Sequence, residues 1–338
     1  MLPTVNRRIT LAARPVGYPK ESDFQLEETP MPVPVDSEFL IKVIYLSLDP
    51  YMRGLMNEAR TYADPIKIGG LMVGNAVGKV VRSNQPDYQK GDILEGMLGW
   101  QEFAVSDGEG LRRIDPALGP ISTALSVLGM PGLTAYFGML EIAAPKPGET
   151  VLISGAAGAV GSVAGQIAKI QGCRVVGIAG SDSKINYLVG ELRYDAAFNY
   201  KSIEHYYEVL KEICPNGIDV YFDNVGGAIS DAVFRLLNTK ARVAVCGQIS
   251  QYNLEKPETG PRLLLHLLQK QARAEGFTVL QFADRFPEGL RQLSQWLKEG
   301  KLKYREDMVD GIGNAPRAFI GMLRGHNMGK QLVKLSVP

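Results

Sequence analysis

The sequence predicts an α/β protein: a doubly wound parallel sheet, accompanied by a smaller antiparallel β unit. Three observations carry this. Short apolar runs alternate with helical stretches from Gly148 onward. The first run and the first helical stretch are joined by a loop of glycine and alanine. The first 120 residues have a different texture, with strand-like runs broken by Pro and Gly. A length of 338 residues exceeds one average domain and fits two.

In the first region, Phe39–Tyr45 (FLIKVIY) reads as a strand, as do Val77–Val81, Ile93–Leu94 and Glu102–Val105. Turn signals lie between them, among them Pro30, Pro32, Pro34, Gly69–Gly70, Gly91 and Gly108. That pattern predicts a small antiparallel barrel or sandwich. Past PKPGE the chain reads as strand Val151–Ser154, helix Val160–Gln171 and strand Arg174–Ile178. Further strands are read at Ala196–Phe198, Ile218–Phe222, Arg242–Cys246 and Phe277–Leu280. Helical patterns fill the gaps at Ile185–Leu192, Ile203–Ile213, Ala228–Leu237 and Arg262–Arg273. Strand–helix alternation of this kind gives a parallel sheet covered on both faces. Beyond Lys301 the alternation stops, leaving a helix at Ala315–Leu323 and a last strand at Gln331–Ser336.

The loop between the first strand and helix reads Ser154-Gly155-Ala156-Ala157-Gly158-Ala159-Val160-Gly161, a Gly-x-x-Gly-x-x-Gly relative of the dinucleotide fingerprint. A pyrophosphate reaches a helix N-terminus only where the backbone comes close, so side chains must be absent. The third glycine lets the helix pack tightly on the strand. Its position between a strand and a helix gives the pattern its weight; a tight turn without ligand is the bland alternative. An NAD site expects an acid at the end of the second strand. Here that strand runs into Gly180, with Ser181, Asp182 and Lys184 following. Gly180 opens space where the acid would sit, and Lys184 and Ser181 suit a 2′-phosphate. Asp182 fits either the ribose acid of an NAD site or the N-cap of the next helix, and the cap is preferred.

Composition narrows the rest. Apolar residues make up 45% and charged ones 22%, and the net charge is +1, so neither nucleic acid nor an anionic membrane is favoured as partner. The start, MLPTVNRR, has no apolar core of a secretory signal. The uncharged stretch Leu118–Leu140 is long enough to span a bilayer but contains Pro120, Pro131 and several glycines, so a buried turn–helix region is expected. Cys173, Cys214 and Cys246 stand singly, which fits reduced thiols in a cytoplasmic protein. Residues 1–172 hold no cysteine and residues 1–204 no histidine, so no metal is expected: the first domain lacks the ligands for a catalytic zinc. Tyr-x-x-x-Lys occurs at Tyr207/Lys211 and Tyr252/Lys256, and Tyr207 is read as packing or surface. His205, His266 and His326 are isolated and read as structural, and no Gly-x-Ser-x-Gly elbow is present.

The runs SGAAGAVGSVAGQIAKIQGCRVVG, GSDSK, FNYK, YFDNVGG and CGQISQYN together resemble the medium-chain dehydrogenase/reductase superfamily. Within it the similarity is to the zinc-independent prostaglandin reductases and alkenal/one double-bond reductases, including bacterial curcumin reductases. YLSLDPYMRGLM, LGMPGLTAYFG and AFIGMLRGHNMGK extend it over nearly the whole chain. Pro131 and Gln251 depart from the group, where Thr, or Thr and Ser, are common. The resemblance implies a GroES-like β-barrel domain, residues 1–125 and 305–338, carrying substrate. It implies a Rossmann NADP-binding domain at 126–304, an active site in the cleft between them, and a homodimer.

By the same resemblance, Gly155, Ala156, Gly158, Ala159, Val160 and Gly161 would cradle the pyrophosphate of NADPH. Lys184 and Tyr200 would hold the 2′-phosphate end. Asn224, Cys246, Gly247, Ile249, Ser250, Tyr252, Phe277, Val279 and Asn327 would line the rest of the cofactor. Tyr51 and Arg53 would shape the substrate pocket. The implied reaction is hydride transfer to the β-carbon of an enone or enal, extending to 15-oxo-prostaglandin- and curcumin-like compounds. Tyr252 and the cofactor ribose 2′-hydroxyl would support the enolate oxygen. An enolate is less basic than the alkoxide of ketone reduction, which suits a site without metal. Two other readings stay open: an NADPH quinone oxidoreductase, and a cofactor-binding protein with little turnover.

Overall fold

The computed structural model describes residues 2–61 and 63–337. The chain forms two compact units, Met1–Leu125 with Glu306–Pro338, and Ser126–Arg305.

The first unit opens with β1 (Val5–Leu11) and β2 (Phe24–Pro30), an antiparallel pair. Then come β3 (Phe39–Ser47), the short α1 (Met52–Leu55), β4 (Asn75–Ser83), β5 (Ile93–Met97), β6 (Phe103–Ser106) and β7 (Arg112–Arg113). The near-continuous apolar run of β3 is buried on both faces, which makes it the organising strand. Register shifts at Leu40/Ile41 and Val43/Tyr45 mark where β3 bends against β4. Gly78 permits that approach, because a Cβ there would lie 2.3 Å from the Ile41 side chain.

The second unit carries α2 (Met130–Phe137), β8 (Thr150–Ile153), α3 (Ala159–Ile170), β9 (Arg174–Ala179), α4 (Asp182–Asn186), β10 (Ala196–Asn199) and α5 (Tyr206–Ile213). It continues through β11 (Ile218–Asp223), α6 (Gly227–Phe234), β12 (Leu237–Val245), α7 (Leu264–Lys270), β13 (Arg273–Gly276) and α8 (Phe286–Lys298). Its six strands are all parallel, in the order β10-β9-β8-β11-β12-β13. The order reverses between β8 and β11, the switch point at which doubly wound sheets bind ligands. Leu152, Val176, Tyr221 and Val243 from the strands pack with Leu210 and Val233 from the helices.

The chain then returns to the first unit with β14 (Glu306–Asp310), α9 (Ala315–Leu323) and β15 (Lys330–Lys334). That unit's sheet runs β14-β15-β3-β4-β5-β7, with β6 also paired to β3. On α9, Phe319 meets Trp100 edge-on with ring centroids 5.7 Å apart, and Phe24 stacks on Trp100.

Several expectations are corrected. The sixth parallel strand is Arg273–Gly276, not Phe277–Leu280; its four residues are exposed, so it shows no apolar run. Val279 begins a 3₁₀ segment instead. The helix expected at Arg262–Arg273 covers only Leu264–Lys270 and stops where Gln271 turns left-handed, at φ 49°. Helix α6 ends at Phe234, and Leu237 already belongs to β12. Helix α5 begins at Tyr206 rather than Ile203. Alternation also resumes after Lys301, because the acidic run Glu306–Asp310 is a strand parallel to β15. The stretch Leu118–Leu140 is divided among a 3₁₀ turn, α2 and the start of a π-helical turn. Among the described residues no helix is long and apolar enough to cross a membrane.

Candidate active site

The glycine loop sits at the switch point of the parallel sheet. Ser154 directly follows β8, and Gly155 turns with φ +59°. Gly158 is the N-cap of α3 and offers no side-chain cap, so the first-turn N–H groups are left for water or a ligand. Gly161 is the tightest point: a Cβ there would lie 2.4 Å from the Gly155 carbonyl oxygen and 2.9 Å from Ala156 Cα. Ala156 N–H donates to Ile178 O at 3.0 Å, tying the loop to β9. The loop therefore has what a pyrophosphate needs, a helix N-terminus approached through backbone alone.

At the end of β9, Gly180 leaves room for two neighbours. A Cβ on it would meet Tyr200 Cε1 at 2.9 Å and Lys201 Cε at 3.3 Å. Tyr200 thus lies against the turn that follows β9, and the half-buried Lys184 comes next in the chain on α4. Lys201 joins them, and sequence reasoning did not single it out. The cap preferred for Asp182 is corrected: Ser181 is the N-cap, accepting from Lys184 N–H at 3.4 Å. Asp182 accepts instead from Asn199 Nδ2 at 2.9 Å.

Beside the glycine loop, the ends of β11 and β12 are sewn together. Cys246 N–H and Gly247 N–H donate to Asp223 O at 2.8 and 3.0 Å; Ile249 N–H donates to Asn224 O, and Ser250 N–H to Val225 O. Ser250 Oγ adds a bond to Val225 O at 2.6 Å. The Asn224 amide donates to Ser154 O at 2.7 Å, locking this seam to β8. A Cβ on Gly155 would sit 3.4 Å from Asn224 Cβ, and one on Gly247 would sit 3.3 Å from the Tyr252 hydroxyl. Gly155, Asn224, Gly247, Ile249, Ser250 and Tyr252 therefore form one cluster. Burial first, and Asp223 second, push the Cys246 thiol up to about 12. Phe277 follows β13 and meets Phe222 edge-on at 6.1 Å, while Val279 is buried close by in sequence.

The three remaining residues belong to the first unit. Asn327 is half-buried and donates through Nδ2 to Gly329 O at 2.9 Å. The Tyr51 hydroxyl is buried without a hydrogen-bond partner among the described residues, and burial followed by Asp49 raises its pKa. Arg53 is committed to its own unit: it donates to Asn57 Oδ1 at 2.6 Å and to Gly17 O at 2.9 Å. Burial lowers its pKa against the pull of Asp23. Tyr207 packs beneath the Arg235 guanidinium, 3.8 Å from its ring centroid.

A parallel switch-point sheet with a glycine cradle, joined in one chain to a mostly antiparallel β unit, defines a dinucleotide-dependent oxidoreductase of the two-domain kind. Residues 7–114 match the family described as the N-terminal domain of oxidoreductase, and residues 159–296 match the zinc-binding dehydrogenase family. The chain is 51% identical to a putative NADP-dependent oxidoreductase, YfmJ, of Bacillus subtilis, covering 98% of each. It is 45% identical to the NADPH-dependent curcumin reductase of Escherichia coli, over 98% of this chain and 97% of the relative. The crystal structure of CurA in complex with NADPH from Vibrio vulnificus superposes with a TM-score of 0.94, at 45% identity, covering 98% and 100% of the two chains. The chain belongs to the medium-chain dehydrogenase/reductase family, in the group of prostaglandin, curcumin and alkenal reductases.

The zinc in that second family description does not fit this chain. Its first unit holds no cysteine and a single histidine, His326. Among the described residues no three His, Cys, Asp or Glu side chains are grouped to hold an ion.

Proposed function

We propose that the chain reduces the carbon–carbon double bond of α,β-unsaturated ketones and aldehydes, with NADPH as reductant. Support comes from relatives named as curcumin, prostaglandin and 2-alkenal reductases, aligned over nearly the full length. The observation that carries the reading is the meeting of the glycine cradle with the Tyr252 loop at the switch point, held by Asn224. Gly155 to Gly161 would hold the pyrophosphate, Lys184 and Tyr200 the 2′-phosphate, and the 246–252 loop with Phe277, Val279 and Asn327 the remainder. Bound there, NADPH supplies hydride. The Tyr252 hydroxyl then donates to the substrate carbonyl oxygen as negative charge develops on it, lowering the barrier as oxyanion donors do. Water protonates the α-carbon. The parallel-sheet unit would carry the cofactor, and Tyr51 and Arg53 would belong to the substrate pocket.

The test is NADPH consumption with 3-nonen-2-one against benzoquinone, with product analysis. A saturated ketone as product supports the reading, and turnover of the quinone alone overturns it. Tyr252→Phe should lower turnover by about ten- to a thousand-fold with cofactor affinity unchanged.

The chain would act as a homodimer. The edge strand β13 is exposed, and nearby Leu264 (78%), Leu268 (75%) and Leu280 (72%) present apolar side chains to solvent, more than a lone subunit's surface should carry. Leu264→Glu with Leu268→Glu should convert a dimeric mass to a monomeric one in sedimentation. The three free thiols support a reducing, cytoplasmic setting.

A further inference from the structure

Asp223 ends β11 and is 2% exposed. A buried carboxylate is costly unless its lone pairs are satisfied. Here six neutral donors serve it. Ser154 Oγ lies at 2.9 Å, Tyr221 OH at 2.8 Å, Val225 N at 3.0 Å and Gly226 N at 2.9 Å. Ser230 Oγ at 2.7 Å and Gln248 Nε2 at 3.0 Å complete the set. Five of the six come from β11, the turn after it, α6 or the end of β8. Gln248 alone reaches in from the loop that carries Tyr252.

The Gln248 side chain has little freedom. Its Nε2 also donates to Gly247 O at 3.1 Å. Its amide lies against Gly226, where a Cβ would come 2.0 Å from Gln248 Oε1. Gly226 has φ +74°, so the turn and the amide's seat both require glycine. The main-chain N–H of the same Gln248 donates to the Tyr252 hydroxyl oxygen at 3.2 Å. One residue thus grips the buried carboxylate with its side chain and the tyrosine with its backbone.

We infer that Gln248 is a positioning residue for Tyr252: its side-chain amide, clamped between Asp223 and Gly226, fixes the peptide N–H that holds the tyrosine hydroxyl. This rests on the proposed role of Tyr252 toward the carbonyl oxygen. A hydroxyl that accepts a hydrogen bond is polarised to donate a stronger one. A donor aimed before the reaction need not reorganise during it.

Gln248→Met keeps the length and removes the donor. It should lower kcat for an enone about three- to ten-fold, the range of one neutral hydrogen bond, and leave the NADPH KM within about twofold. In a Tyr252→Phe background it should add almost nothing, because the two residues act as one unit. Gln248→Glu supplies a sharper signature. The new carboxyl can donate to Asp223 only while protonated, and two adjacent carboxyls raise one pKa. Its kcat should approach the wild-type value at low pH and fall as pH rises, a limb absent from the wild-type profile.

A readout independent of turnover uses tyrosine labelled with ¹³C at Cζ. The Tyr252 resonance is the one missing in Tyr252→Phe, and Gln248→Met should displace it. An unmoved resonance, or a Gln248→Met loss of kcat that multiplies fully with that of Tyr252→Phe, overturns the inference. A wild-type protein that oxidises no NADPH with enones overturns the proposed function instead, while a displaced resonance would still show Gln248 holding Tyr252.

Discussion

Replacing Gly161 by alanine tests the cradle at its narrowest point. The added Cβ would lie 2.4 Å from Gly155 O, where ordinary contact begins at 3.4 Å. Backbone stands on both sides, so no flexible side chain can move aside. Relief requires α3 to slide away from the Gly155 turn by about 1 Å. A 2.9 Å N–H···phosphate bond stretched by that amount leaves the hydrogen-bonding range. Losing one or two charge-assisted bonds costs about 2–4 kcal/mol, which is about a 30- to 1,000-fold rise in the NADPH Kd. The assay is titration of NADPH fluorescence, with thermal unfolding measured in parallel. Gly190→Ala is the control, since nothing lies within 4 Å of a Cβ built there. If Gly161→Ala bound NADPH within about threefold of wild type, the α3 N-terminus would not be the phosphate site.

Other substitutions probe separate links. Lys184→Ala and Lys201→Ala should each raise the KM for NADPH more than that for NADH; equal effects on both would return Asp182 and NAD to consideration. In the first unit, Lys330→Met removes the ammonium that bonds Asp49 Oδ1 and Leu48 O, both at 2.6 Å. It strands a buried carboxylate, so the unfolding free energy should drop by roughly 3–5 kcal/mol; an unchanged Tm would show that the pair is dispensable. Burial pushes the Cys173 and Cys214 thiols up to about 11 and Cys246 up to about 12. A thiol that high holds almost no thiolate at pH 8, so iodoacetamide should label all three about a hundred-fold or more slower than free cysteine. The rate should climb about tenfold per pH unit. Rapid labelling at pH 8, read by intact mass, would contradict that burial.

What could be read in the sequence followed the strength of the burial signal. Strands β3, β8 and β9 are buried along almost their whole length, and their apolar runs located them to within two residues. Helix α9 was legible because Ala315, Phe319, Met322 and Leu323 share one face. Strand β13 buries nothing and is held by its backbone to β12, so no periodicity betrays it. Strand β14 is acidic and partly exposed. Helix α8 was overlooked although Gly289, Leu293 and Trp296 recur at helical spacing, a signal present in the chain. In the site, the glycines were visible because close approach demands them. Gln248 was not: a glutamine in a Gly-Gln-Ile-Ser loop resembles any solvated turn residue until β11 and β12 are adjacent. Lys201 was hidden for a related reason, since only the absent side chain of Gly180 brings it to the end of β9.

The charges of the first unit bear on what kind of substrate suits Arg53 and Tyr51. Among the described residues of that unit, the fully buried cations are Arg53 and Lys330. Each is occupied internally. Arg53 braces the Pro15–Gly17 turn against Asn57, and Lys330 joins β15 to Asp49 after β3. A carboxylate ligand that recruited either would break those bonds and leave buried acceptors unsatisfied, at a cost of about 1–3 kcal/mol for each. Tyr51 offers a neutral hydroxyl, and burial keeps it protonated through the physiological range. A neutral carbonyl compound makes no demand on the two cations and can accept from a phenol. On the proposed function, Arg53 would act on the substrate pocket through the turn it holds in place, and the polarity Tyr51 would offer there suits an enone or enal better than an unsaturated acid.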